Sequence, residues 1–175
     1  EPKECVESHQ DSRYTLSGKD LSNIKVMIRG GVGTGRSSLH MRICKDIFSY
    51  EQSSRVDPFD FYILSKNIAL QVFNTSLLPQ LNYLPTSTYM IPIVWIVIYD
   101  ITRQETFDQV SFWVKEIRDV MMNIPTFYDI LLLGNKTDLS GSRAVERHFA
   151  ENYAVKEGLF FMEASVKKTP KCCSL

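Results

Sequence analysis

An excess of charge of either sign is missing from this sequence. Twenty Lys and Arg balance twenty Asp and Glu, for a formal net charge of zero at pH 7. No basic block runs along the chain as a phosphate-tracking stripe requires, so nucleic acid is not an expected partner. Long apolar runs are missing too. The longest, Ile91 to Tyr99, contains Pro92 and stops far short of the roughly 18 residues that span a bilayer. Cysteine is scarce: Cys5 and Cys44 are isolated, Cys172 and Cys173 are adjacent, and neither spacing is that of a zinc site. The three histidines, His9, His40 and His148, have no ligand or catalytic spacing and read as ordinary surface or helix residues. Repeats and low-complexity tracts are absent. The polar, acidic start EPKECVESHQDSRYTLSGKD lacks the apolar stretch of a secretory signal, which predicts a reducing, cytoplasmic location without disulfides.

What is present suits one α/β domain. The 175 residues, 44% hydrophobic and 23% charged, have the composition of an ordinary globule with a sizeable core. Residues 1–22 carry few apolar positions and read as a flexible leader. Ile24, Val26 and Ile28 predict a first strand ending at Gly30, and Ser37 to Phe48 predict a helix with Leu39, Met41, Ile43, Cys44, Ile47 and Phe48 at mostly helical spacing. Phe59 to Leu64 and Ile68 to Phe73 suit a hairpin. The run VWIVIY from Val94 to Tyr99 reads as a mid-sheet strand covered on both faces. Phe107, Val110, Trp113, Val114, Ile117, Val120 and Met121 then fall at helical spacing, Ile130 to Leu133 form a buried strand, and a helix crossover makes the two strands parallel. Ala144 to Lys156 predicts a helix with Val145, Phe149 and Tyr153 on one face, before a last strand from Leu159 to Met162.

Four of the eight glycines, Gly30, Gly31, Gly33 and Gly35, fall between the first strand and the first helix. The string GGVGTGRS, Gly30-Gly31-Val32-Gly33-Thr34-Gly35-Arg36-Ser37, matches G-x-x-x-x-G-K-[ST] except that Arg36 replaces lysine. Such a turn lets backbone N–H groups, with Ser38 in the first helical turn, face a phosphate at a helix N-terminus. A plain glycine-rich β–α turn is the alternative reading of the motif alone. Further on, Asn135-Lys136-Thr137-Asp138 forms an N-K-x-D string after the Ile130 strand, and the last strand runs into Glu163-Ala164-Ser165-Val166-Lys167.

With these motifs in this order, residues 23–168 resemble the Ras superfamily of small GTPases, most closely its Rab branch. Tyr99-Asp100-Ile101-Thr102 with Glu105-Thr106-Phe107 is similar to the Rab run from the fourth strand into the third helix. The resemblance implies a P-loop NTPase fold, a mostly parallel central sheet with helices on both faces, here stopping after the last strand without the family's fifth helix. It implies GTP or GDP as ligand, Mg²⁺ as cofactor, and regulatory or effector proteins as partners through two switch loops. Asp138 takes the role of accepting hydrogen bonds from guanine N1 and the exocyclic amine, both donors. Asn135 and Lys136 shape the base pocket, and Ser165, Val166 and Lys167 line it.

The same resemblance exposes departures at the phosphate and metal positions. The family's Asp-Thr-Ala-Gly-Gln-Glu stretch aligns onto Asn74-Thr75-Ser76-Leu77-Leu78-Pro79. Asn74 replaces a carboxylate of the Mg²⁺ shell, Leu77 the glycine whose N–H meets the γ-phosphate, and Leu78 the glutamine that orients the attacking water. Val32 crowds the space that glutamine uses, and Arg36 is planar where lysine is compact. Ser37 keeps a hydroxyl for Mg²⁺, and Ser53 or Ser54 is nearest to the family's switch threonine. Weakened metal binding, weak or lost hydrolysis and retained guanine selectivity are expected, with a pseudo-GTPase interaction module or an unstable truncated variant as alternatives. Residues 169–175 form a short tail whose Cys172-Cys173-Ser174-Leu175 fits C-a-a-X, predicting prenylation at Cys172 and Cys173 and attachment to the cytosolic face of a membrane.

Overall fold

The computed structural model describes residues 22–45, 59–65, 68–75 and 93–168. They form a six-stranded sheet in the order β2-β3-β1-β4-β5-β6. The strands are β1 (Ser22–Gly30), β2 (Phe59–Ser65), β3 (Ile68–Asn74), β4 (Ile93–Asp100), β5 (Tyr128–Asn135) and β6 (Phe160–Glu163). The helices are α1 (Arg36–Lys45), α2 (Gln104–Asp108), α3 (Val110–Met121) and α4 (Arg147–Glu157). β1 begins at Ser22, within the segment expected to be leader. β2 and β3 pair antiparallel, as the hairpin pattern predicts, while every other pairing is parallel.

The continuous apolar run places β4 between β1 and β5, where both of its faces are covered. Side chains alternate between two cores. Met27, Trp95, Val97, Tyr99, Ile130 and Leu132 face α3 and α4. Val26, Ile28, Val72, Ile96, Ile98 and Leu133 face the side where Leu39, Ile43 and Cys44 of α1 pack. Each fully buried Val, Leu or Ile contributes about 1.5–3 kcal/mol of transfer free energy, so the middle strands carry most of the hydrophobic stabilisation.

Two expectations need correction. The helix from Phe107 to Met121 is two helices, broken at Gln109, whose Oε1 lies 2.7 Å from where a Cβ on Gly31 would stand. α4 begins at Arg147 and meets the sheet through Ala150 and Ala154, with Val145 just before it. Phe149 is 61% exposed, because the small alanines allow a closer approach one residue round the helix. His40 is a residue of α1, as one of the two readings of the histidines had it, and is buried there.

Candidate functional site

The C-terminal ends of β1, β3, β4, β5 and β6 converge on one edge of the sheet, the place where open α/β sheets bind ligands. The turn between β1 and α1 runs at positive φ at Gly33 (79°) and Gly35 (99°), a region that side chains with a Cβ rarely enter. Gly35 also has no room for a side chain, since its Cβ would run into the Asn135 amide. Thr34 closes the turn by donating its hydroxyl to the Gly31 carbonyl at 2.9 Å. Thus the glycines are required here by backbone direction and by close approach, as a phosphate loop demands.

Asn135 ties this loop to the far side of the site. Its Nδ2 donates to the Thr34 carbonyl at 2.8 Å, and its Oδ1 accepts from the Val166 N–H at 3.1 Å. The ends of β5 and β6 are stitched by Thr137 N–H to the Ala164 carbonyl at 3.2 Å and Ala164 N–H to the Gly134 carbonyl at 2.8 Å. Ser165 donates its hydroxyl to Asp138 Oδ1 at 2.6 Å, which orients the carboxylate. From α1, Arg42 Nε donates to the Val166 carbonyl at 3.0 Å. A cleft of about 440 Å³ lies between these parts. On one side it is lined by Val32, Gly33, Gly35, Arg36, Ser37 and Ser38. On the other stand Asn135, Lys136, Asp138, Leu139, Val166 and Lys167. Its size is that of a ligand site.

Lys136 is the non-glycine residue of the described chain at positive φ (67°). Such a conformation persists where surroundings enforce it. Here Lys136 Nζ reaches Asp100 Oδ2 at 2.6 Å, and Asp100 is buried. Asp100 Oδ1 accepts from both the N–H and the hydroxyl of Thr102, at 2.9 and 2.7 Å. Burial pushes the Asp100 carboxyl upward, but the Lys136 ammonium and the Thr102 donors outweigh it and hold the pKa below its ordinary value. Arg36 is the opposite case. It is half-buried and, among the described residues, has neither a hydrogen bond nor an ion pair. Burial, and then the Arg29 charge, pull its pKa below the arginine range. A half-buried cation repelled by a neighbour suits an anion in the cleft.

At the metal position, Asn74 Nδ2 donates to Ser37 Oγ at 3.1 Å. The amide therefore presents a donor to the hydroxyl where the family carries a carboxylate. Mg²⁺ favours charged carboxylate oxygens, whereas the Asn74 amide and the Ser37 hydroxyl offer only neutral ones, a poorer fit. No cluster of three or more His, Cys, Asp or Glu suited to a metal occurs among the described residues.

The phosphate-loop and guanine residues singled out in the sequence thus come together, although Gly30, Gly31, Thr34 and Ser165 support the cleft from behind its lining. Ser53, Ser54, Leu77, Leu78, Cys172 and Cys173 lie outside the described residues. Sequence reasoning missed three supports: Asp100 beneath Lys136, Arg42 across the Val166 carbonyl, and Arg103. Arg103 Nη1 donates to the Val32 carbonyl at 3.3 Å and lies 2.8 Å from where a Cβ on Gly33 would stand. The Asp100 carboxylate at the end of an apolar strand was a readable signal; the two arginines gave none.

Comparison with known proteins agrees with this geometry. The Ras family model matches residues 25–173. Ras-related protein RABA2a of Arabidopsis thaliana is 32% identical over 145 residues, 81% of this chain and 65% of the relative. RABA4b of the same plant is 34% identical over 154 residues, 85% and 67% of the respective chains. Rab11D of Nicotiana tabacum is 32% identical over 146 residues, 81% and 64%. The chain spans about two thirds of the length of these relatives.

Proposed function

The chain belongs to the Ras family of small GTPases, in its Rab-like branch, and from that premise we propose that it binds guanine nucleotides, GDP and GTP, with hydrolysis weak or lost. Residues 23–168 form the nucleotide-binding domain in this reading. The observation that carries it is the Asn135 bridge: one amide joins the phosphate loop at Thr34 to the Val166 backbone, and the Ser165–Asp138 contact aims a carboxylate into the same cleft. A carboxylate there selects guanine over adenine because it can accept two hydrogen bonds from guanine's donor edge.

The phosphate end supports eroded catalysis. The Asn74 amide donates to Ser37, which leaves the Mg²⁺ shell without a carboxylate at that position. Leu78, at the glutamine position, has no group with which to orient water, and positioning is most of what catalyses phosphoryl transfer. A pseudo-GTPase that recruits effectors without turnover is the second reading, favoured by that same Asn74–Ser37 contact. Partners engage through the switch loops, in membrane traffic or signalling.

Titration of the purified chain with fluorescent GDP and GTP, with ADP as competitor, tests the binding reading. Saturable binding that guanine nucleotides displace and ADP does not is the expected result. No binding at millimolar nucleotide overturns it. Single-turnover phosphate release at the rate of an ordinary Rab overturns the claim on hydrolysis.

A further inference from the structure

A second cation stands beside the phosphate end of the cleft, just outside its lining residues, against the Val32 carbonyl. Arg36 projects from the first turn of α1 into the lining. Arg103 approaches from the other side, on the turn between β4 and α2. That turn is firmly stapled: Arg103 N–H donates to the Asp100 carbonyl at 3.0 Å, and the Arg103 carbonyl accepts the Thr106 hydroxyl at 2.7 Å. The guanidinium is therefore launched from a fixed backbone onto the Val32–Gly33 corner. Of its five N–H groups, one is used on the Val32 carbonyl, and its ion pair with Glu105 is long, at 3.7 Å, and solvent-exposed. Donors remain for a ligand seated on the loop. Among the described residues no acidic side chain lines the phosphate end, where the lining is Val32, Gly33, Gly35, Arg36, Ser37 and Ser38. The nearby Asn74 turns an N–H toward Ser37.

We propose that Arg103 is a phosphate ligand of this cleft, and that Arg103 and Arg36 together neutralise a nucleoside diphosphate without a bound Mg²⁺. The inference rests on the guanine-nucleotide reading above and deepens it. Two guanidiniums offer planar, paired donors that match phosphate oxygens and keep their charge at any physiological pH. A cleft with these cations and an amide in place of a carboxylate attracts the anion directly, while a divalent cation gains little from it.

The test is a titration of the full chain with N-methylanthraniloyl-GDP in millimolar Mg²⁺ and again in EDTA. The two apparent Kd values are expected to agree within about threefold, because the metal adds few protein ligands here. Arg103→Ala is expected to weaken GDP by about tenfold to a hundredfold, the range for hydrogen bonds to charged groups. Its melting temperature without nucleotide stays at the wild-type value, and Arg103→Lys recovers part of the affinity. Strengthening of wild-type binding by Mg²⁺ of more than about tenfold, as a metal-dependent site gives, overturns the proposal but leaves the parent reading standing. Unchanged GDP affinity in Arg103→Ala, or a loss matched by a lower melting temperature in the free variant, also overturns it. Absence of any GDP binding by the wild-type chain removes the parent reading and this one together.

Discussion

The two ends of the cleft are built differently. At the end proposed for the base, Asn135, Lys136, Asp138, Ser165 and Val166 hold one another and the glycine loop through bonds between protein groups, from the Asp138–Ser165 contact to the buried Asp100 beneath Lys136. At the phosphate end, Arg36 stands without a hydrogen bond or ion pair among the described residues, and an amide occupies the place of a family carboxylate. A pocket whose polar groups are already paired is preorganised and keeps its shape without ligand. A cation with no partner depends on the ligand to satisfy it. On the function proposed above, the contrast separates a base side whose polar groups pair with one another from a phosphate side whose cation waits for a ligand.

The strongest way to break the contrast is to remove Asp138, the carboxylate proposed to read the base. Asp138→Ala is expected to cost about a hundredfold or more in guanine-nucleotide affinity, the value of two charge-assisted hydrogen bonds. Competition between GDP and ADP measures it, and a retained guanine preference would count against the base pocket.

Next comes the support under that pocket. Asp100→Asn leaves Lys136 without its carboxylate partner and is expected to destabilise the fold by about 2 kcal/mol, less than a fully buried pair because Lys136 is partly exposed. Urea unfolding reads this at neutral pH. The sign with pH follows from the shift. The folded Asp100 carboxyl titrates below its ordinary 3.8, so its contribution is present above that value and is lost as pH falls through the lower, folded pKa. The stability gap between wild type and Asp100→Asn should therefore hold from neutral to about pH 4 and close only below it.

A smaller effect belongs to Arg42, whose guanidinium crosses from α1 to the Val166 carbonyl. Arg42→Ala should lower stability by about 1 kcal/mol, the net worth of such a bond, and soften the base side more than the phosphate side. Hydrogen exchange at Val166 against exchange at Ser37 measures the asymmetry. Asn74→Asp sharpens the comparison from the other end. Restoring one carboxylate beside Ser37 should raise the ratio of GDP affinity in Mg²⁺ to that in EDTA about fivefold above the wild-type ratio, a modest gain because the other departures remain. No difference would mean that Asn74 does not limit metal binding.

Much of the fold was legible because its signals are local. The apolar run from Val94 to Tyr99 has no polar face, so it could only be an inner strand. The glycine turn between Ile28 and Leu39 joins a strand to a helix, as both readings of its motif require. Periodicity failed where packing decides by size. Phe149 looked like a core residue on α4, yet Ala150 and Ala154 bring the helix to the sheet. It failed again at Gln109, where the regular helix is interrupted beside the glycine loop although Gln109 itself keeps right-handed helical angles.

Within the candidate site, the two strings that line the cleft, around Val32 to Ser38 and Asn135 to Asp138, were readable because residues adjacent in sequence reach the same edge of the sheet together. Alone, the sequence determined the sheet, the glycine turn, the Asn135–Asp138 string, and the exchanges at Arg36 and Asn74. Only the tertiary structure decided that Asp100 lies under Lys136, that Asn135 bridges Thr34 and Val166, and that Arg103 rests on Val32. These contacts join residues far apart in the chain, or depend on how a turn projects a long side chain. Hydrophobic pattern and short-range spacing carry no information about either.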